Sequence, residues 1–134
     1  MNVAIVTVGD ELLAGETVDT NSTWLASQLP DRGCTVTRIT TVPDQIEVIA
    51  AVVNEYRAAS DAVVVTGGLG PTHDDRTMAA VAAAVGRELE HHPEAEAWLT
   101  DDGYSADDLD AGTTDLPAGA RMLPNAVGVA PGAV

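Results

Sequence analysis

The chain has 134 residues, enough for about one domain with a real core, and its six basic residues, all arginine, face 21 acidic ones for a formal charge of −15. So acidic a surface repels phosphodiester backbones, which excludes nucleic acid as an expected partner. With 46% hydrophobic but only 3% aromatic residues and no Phe, the core must come from Val, Ala, Leu and Ile, and no apolar run approaches the about 20 residues that span a bilayer.

The chain starts on an apolar strand with no basic segment of the signal-peptide kind, so a cytoplasmic protein with no membrane contact is expected. The single cysteine, Cys34, cannot form an internal disulfide and is expected to pack as a small hydrophobe at a strand start. Most of the carboxylates need a non-catalytic explanation. A surface adapted to very high salt, where self-repulsion is screened, is the simplest, and a lysine-free acidic chain resembles proteins of extreme halophiles.

Val3 to Val8, VAIVTV, is near-continuously apolar, the pattern of a strand buried on both faces. Gly9-Asp10-Glu11 follows it, where open α/β sheets place their ligand crevice. Asp19-Thr20-Asn21-Ser22 offers several N-caps for a helix to about Pro30 carrying Trp24, Leu25, Gln28 and Leu29, and Gly33 stops it. Cys34 to Val42 alternates and reads as a second strand nearer the sheet edge. Asp44 with Glu47 resembles a capping box opening a helix to Ala59, with Ile46, Ile49, Ala50 and Val53 on one stripe.

The stretch from Asp61 to Asp75, DAVVVTGGLGPTHDD, organises the rest. Val63-Val64-Val65 is too short for a helix and has the composition of a buried central strand. The helix after the loop has Met78, Val81, Ala82 and Val85 at helical spacing, with Gly86 as its stop. Gly67, Gly68 and Gly70 thus sit between strand and helix, where backbone N–H groups and the helix dipole favour an anion such as phosphate. Pro93 starts a further helix with Glu94, Glu96, Trp98 and Leu99. His91-His92 read as its exposed approach, and Asp101 to Asp115 as a solvated short helix plus loop. Ala120 to Leu123 could be another strand. Val127 to Val134 is strand-like but broken by Pro131-Gly132, so an edge hairpin could complete the sheet. Three strand-helix alternations predict an α/β fold of three layers, with helices on both faces of a mostly parallel sheet, spanning residues 1–134 as a single domain.

Strand C-termini of a parallel sheet share one edge, so Asp10 with Glu11, Asp44, and Asp74 with Asp75 could converge on one crevice. Carboxylates beside a backbone N–H cradle suit hydrated Mg²⁺ or another divalent metal bridging to substrate phosphates, with Asp74 and Asp75 the candidate ligands. The alternative is that Asp44, Asp74 and Asp75 cap helices. Asn21 and Ser22 read as caps, Asn125 after Pro124 is harder to explain structurally, and His73 could touch a ligand. No zinc spacing, no Ser-His or Cys-His nucleophile and no lysine-bearing phosphate loop is present.

GDELLAG at Gly9 to Gly15, DTNS at Asp19 to Ser22, TGGLGPTHDD at Thr66 to Asp75 and LPAGARMLPNAVGVAPG at Leu116 to Gly132 resemble the molybdopterin-binding (MoaB/Mog-type) domain, in the variant of the N-terminal domain of competence-damage-inducible CinA-type proteins. The resemblance implies a three-layer α/β domain, often a homo-oligomer (dimer or trimer), that binds a pterin or nucleotide phosphate. It implies that Thr66, Gly67, Gly68 and Gly70, with Pro71 and Thr72, receive the phosphate. Asp75 and Asp44 match the acids of molybdopterin adenylylation, and Asp10, Glu11, Asn21, Ser22 and Asn125 fall in the matching ligand segments. Where the adenylylating branch has Arg before the loop acid, this chain has Asp74. That pair suits a metal better than bare phosphate, and CinA-type relatives are associated with metal-dependent cleavage of ADP-ribose-like pyrophosphates. Further C-terminal elements of the family pattern, and the amidohydrolase domain of full-length CinA proteins, are not in this sequence. Three roles are therefore expected to compete: molybdopterin binding, a metal-dependent nucleotide-sugar pyrophosphatase, and a non-catalytic ligand-binding or assembly domain.

Overall fold

A computed structural model describes residues 1–70, 74–105 and 113–134. Strand β1 (Asn2–Val8) is the centre of a parallel sheet in the order β2-β1-β3, flanked by β2 (Thr35–Val42) and β3 (Ala62–Thr66). Ile5 lies opposite Ile39 on one side and Val64 on the other. Being paired on both edges and covered on both faces, β1 buries every residue from Val3 to Val8. That is why its sequence is apolar without alternation.

Between β1 and β2 run α1 (Asp10–Leu13), α2 (Thr20–Gln28) and a short 3-10 turn at Pro30–Arg32; α3 (Ile46–Ala59) links β2 to β3, and α4 (Thr77–Ala84) follows β3. The step from β1 to β2 and the step from β2 back across to β3 run in opposite directions over the sheet. Right-handed crossovers therefore put α2 and α3 on opposite faces, which makes the three layers. α4 packs along α3. Loops leaving β1 and β3 consequently diverge to opposite faces, and such a divergence opens a crevice at the strand C-termini.

The core joins Ala4, Val6 and Val8 of β1, Val42 of β2, Ile49, Val53 and Tyr56 of α3, and Ala80 and Ala84 of α4. Of the stripe expected on α3, Ile49 and Val53 are buried and Ile46 and Ala50 half-buried against the core, with Tyr56 continuing it. On α4 the buried face differs from the expected one: Thr77, Ala80, Ala82 and Ala84 are buried, while Met78 and Val81 are half-buried and Val85 is exposed. Small side chains face inward there and let α4 approach closely, so bulk is a poor guide to its inner face.

Beyond α4 the elements shrink. β4 (Leu89–His91) pairs antiparallel with β5 (Asp115–Pro117), α5 (Pro93–Asp101) buries Ala95 and Leu99, and β6 (Met122–Leu123) pairs antiparallel with β7 (Gly132–Ala133). These ribbons form their own two-stranded sheets and do not extend the parallel one. The strand expected at Ala120 to Leu123 is only two residues long, and β4 and β5 fall where a helix approach and a loop were expected. β3 stands at the edge of the described sheet rather than its centre, with its five residues half-buried. Among the described residues no helix is long and apolar enough to cross a membrane.

Candidate functional site

The loop after β3 is fixed by its glycines and by α4. Gly67 has φ +85°, and a Cβ there would lie 2.1 Å from the Val8 carbonyl oxygen at the end of β1. Gly68 has φ +62° and would meet the Thr77 hydroxyl. No side chain fits this left-handed backbone pressed against β1. Thr77, buried at the start of α4, donates its hydroxyl to the Gly67 carbonyl (2.7 Å) and its N–H to the Gly68 carbonyl (3.1 Å). One threonine thus holds the loop to the helix N-terminus. The Asp75 carboxylate lies over Gly70, where a Cβ would be 2.6 Å from Oδ2. Pro71, Thr72 and His73 lie outside the described residues.

Asp10, Asp44 and Asp75 do converge. The Asp44 N–H donates to Asp10 Oδ1 (3.1 Å). Burial raises the Asp44 carboxyl above the usual carboxylate range, and the Asp75 and Asp10 charges add to that. A hydrogen bond from the Arg76 backbone N–H, and the Arg76 guanidinium, act in the opposite direction. Oδ1 of Asp44 is buried without a hydrogen-bond partner. None of these acids caps its helix: Gln45 is the N-cap of α3 and Arg76 that of α4, both without a side-chain cap bond, so the capping box expected from Asp44 and Glu47 is not formed. Asp74 is exposed.

Among the described residues no three His, Cys, Asp or Glu side chains are placed to hold a metal ion. The described residues therefore do not by themselves make a site for a resident divalent ion. At most, Asp44 and Asp75 could supply two carboxylates to an ion arriving with a phosphate ligand and keeping its waters.

The other wall comes from the segment after β1. A cavity of about 130 Å³ lies between Thr7 and Val8, Glu11 and Leu12, the turn Thr17 to Asn21, and Thr66-Gly67. Its polar lining combines hydroxyls, the Asn21 side chain and carboxylates. Asp19 caps α2: its carboxylate accepts from the Ser22 N–H (3.0 Å) and the Ser22 hydroxyl (2.6 Å). Burial would raise the Asp19 carboxyl, but the hydrogen bonds from Ser22 and Thr7 outweigh it and leave it below the usual range. Ser22 is buried with its hydroxyl given to Asp19, so it shapes the turn rather than facing a ligand. Asn21 is exposed on the cavity rim.

Asn125 is spent on its own loop, accepting from the N–H groups of Val127 (3.2 Å) and Gly128 (2.9 Å) and donating to the Ala130 carbonyl (2.8 Å). It orders the segment that brings Ala130 and Pro131 against Gly68, Gly70 and Asp75. His91 bonds Glu96 (2.7 Å) and Thr114 (3.0 Å), within the C-terminal region. Sequence reasoning missed Arg76, Thr77 and Thr7. Arg76 had a signal, being one of only six cations and adjacent to Asp75. Thr7 and Thr77 had none, because a buried threonine that braces a loop looks like any strand or helix residue.

A family model described as a probable molybdopterin binding domain matches residues 4–134. The chain is 47% identical over 141 residues to a CinA-like protein of Citrifermentans bemidjiense, covering 100% of this chain and 33% of that one. It is also 47% identical over 145 residues to a protein of Thermococcus kodakarensis, covering 99% of this chain and 58% of that one. Both relatives are thus much longer than the segment matched. Among solved structures, the chain is similar to the CinA protein of Thermoplasma acidophilum, described as of unknown function, with TM-score 0.91 at 35% identity over 98% of this chain and 79% of that one. MoaB of Thermus thermophilus shares the fold, with TM-score 0.59 at 24% identity over 87% and 78% of the two chains.

Proposed function

This chain belongs to the molybdopterin-binding domain family, on its CinA-like side, and we propose that it binds a phosphorylated pterin or nucleotide in the crevice between the ends of β1 and β3. The phosphate would rest on Thr66 to Gly70 at the N-terminus of α4, where the helix dipole favours an anion. The observation that carries this reading is the loop itself: Gly67 is pressed onto the Val8 carbonyl and tied by Thr77 to the helix start. That bareness of side chains is what a backbone cradle for phosphate requires. Asp10, Asp44 and Asp75 beside it repel bare phosphate, and Arg76 offsets part of that charge. A ligand carrying its own counter-ion fits better than a free polyanion.

The test is calorimetric titration with neopterin triphosphate in molar KCl, with and without Mg²⁺. The intact chain should bind, Mg²⁺ should tighten binding, and Gly70→Ala should weaken it about fivefold or more by displacing the Asp75 carboxylate into the cradle. No binding under any condition would refute the proposal. Metal-dependent pyrophosphatase activity has less support, because among the described residues no donor set holds an ion by itself. A high-salt cytoplasmic setting completes the proposal, supported by the lysine-free acidic composition and the free thiol of Cys34.

A further inference from the structure

A second depression lies beside the 130 Å³ cavity. Val18, Asp19 and Thr20 line it on one side and, on the other, an open groove of about 490 Å³ completed by Thr23, Trp24 and Ser27. The groove is apolar for a specific reason. The Thr23 hydroxyl donates to the Asp19 carbonyl (3.1 Å) and the Ser27 hydroxyl to the Trp24 carbonyl (2.7 Å), so both turn their polar ends to backbone. What they leave facing outward is Val18, 80% exposed, and the indole of Trp24, 61% exposed.

Leaving this much indole in water forgoes the burial that usually places tryptophan. A second copy of the chain is a poor cover. Two copies meeting here would set one chain of formal charge −15 against another, with Asp19 of each at the contact. A small ligand already anchored in the adjoining cavity has no such obstacle, and its planar ring is the part that would emerge beside Trp24. We infer that Trp24 is the stacking platform for the heteroaromatic ring of the ligand whose phosphate sits at Thr66 to Gly70. This rests on the phosphate-loop reading above and deepens it: the loop holds any suitable phosphate, whereas Trp24 selects ligands that carry a flat, electron-poor heterocycle.

The experiment compares neopterin triphosphate with tripolyphosphate, which has no ring, each with Mg²⁺ in molar KCl, by titration calorimetry on the wild-type chain, Trp24→Ala and Trp24→Phe. Trp24 is largely exposed, so both variants should fold, which circular dichroism checks. Tripolyphosphate should bind wild type and Trp24→Ala equally. Neopterin triphosphate should lose about tenfold in affinity in Trp24→Ala and recover most of it in Trp24→Phe. Equal neopterin triphosphate affinity in wild type and Trp24→Ala would overturn the inference while leaving the phosphate loop standing. So would light scattering in which Trp24→Ala dissociates an oligomer. Failure of both probes to bind wild type would overturn the loop reading and this inference together.

Discussion

The chain up to α4 and the chain after it are built differently. Every buried member of the main core cluster lies between Ala4 and Ala84, on strands of seven and eight residues and helices of fourteen and eight. After residue 88 the strands are two or three residues long, in two-stranded ribbons, and Leu99, Leu116 and Ala130 are buried outside that cluster. Two-stranded ribbons are marginal alone and persist by leaning on something larger. The glycine loop after β3 and the converging acids hang from the first region. Among the described residues the second reaches them where Thr113, Asp115, Leu116, Ala130 and Pro131 meet Gly68 to Gly70 and Asp75 around a cavity of about 50 Å³. Binding geometry is thus entrusted to the part with the persistent core, and local opening should concentrate in the other.

The strongest way to break this contrast is a pair of core truncations. Ile5→Ala in β1 should cost about 4 kcal/mol and unfold the chain globally, whereas Leu116→Ala in β5 should cost about 2 kcal/mol and chiefly speed amide exchange after residue 88. Equal losses with a single shared exchange pattern would erase the distinction. Next, Gly67→Ala should cost about 3 kcal/mol in chemical denaturation, because a Cβ at φ +85° would meet the Val8 backbone. Asp19→Ala removes the cap of α2 and should cost about 1 kcal/mol. Since the folded Asp19 pKa lies below its ordinary value, its contribution is present above that value and lost as pH falls through the folded pKa.

Asp44→Asn runs the other way. The folded Asp44 pKa is raised, so the ionised group weakens the fold increasingly as pH rises above the ordinary carboxylate value of 3.8. The variant should be more stable than wild type at pH 7 by on the order of 0.5 kcal/mol after solvent screening. That gain should vanish in scans at about pH 3, where both states hold the proton. Finally, the midpoint of thermal unfolding should rise in molar KCl over dilute buffer, as expected for a self-repelling acidic surface. Unchanged stability would remove the halophilic reading.

How far the sequence could be read follows the same division. The limits of β1, β2, α3 and β3 differ from the expected ones by a residue or so, because long apolar runs and well-placed glycines leave few alternatives. The convergence of Asp10, Asp44 and Asp75 was legible from parallel topology alone. β4 and β5 were not, since three-residue strands such as Leu89–His91, with every residue exposed, carry no periodicity to detect. The four-residue helix α1 was equally silent. Asn125 misled because an asparagine that folds its own loop and one that meets a ligand look alike until the partners are known. The bracing threonines show the same limit, since neither the Thr41 hydroxyl that Thr7 meets nor the Gly67 carbonyl that Thr77 holds is announced by any spacing.

One consequence follows from the divergence of the loops after β1 and β3. A ligand held as proposed would reach from α2, in one helical layer, to the glycine loop at the start of α4, in the other. Such a molecule is a clasp closed across the rim of the sheet. Its presence should be felt mechanically: pulling or shearing the two layers apart would have to break the clasp first. Occupancy would then register as resistance to layer separation, even in a chain whose backbone does not move.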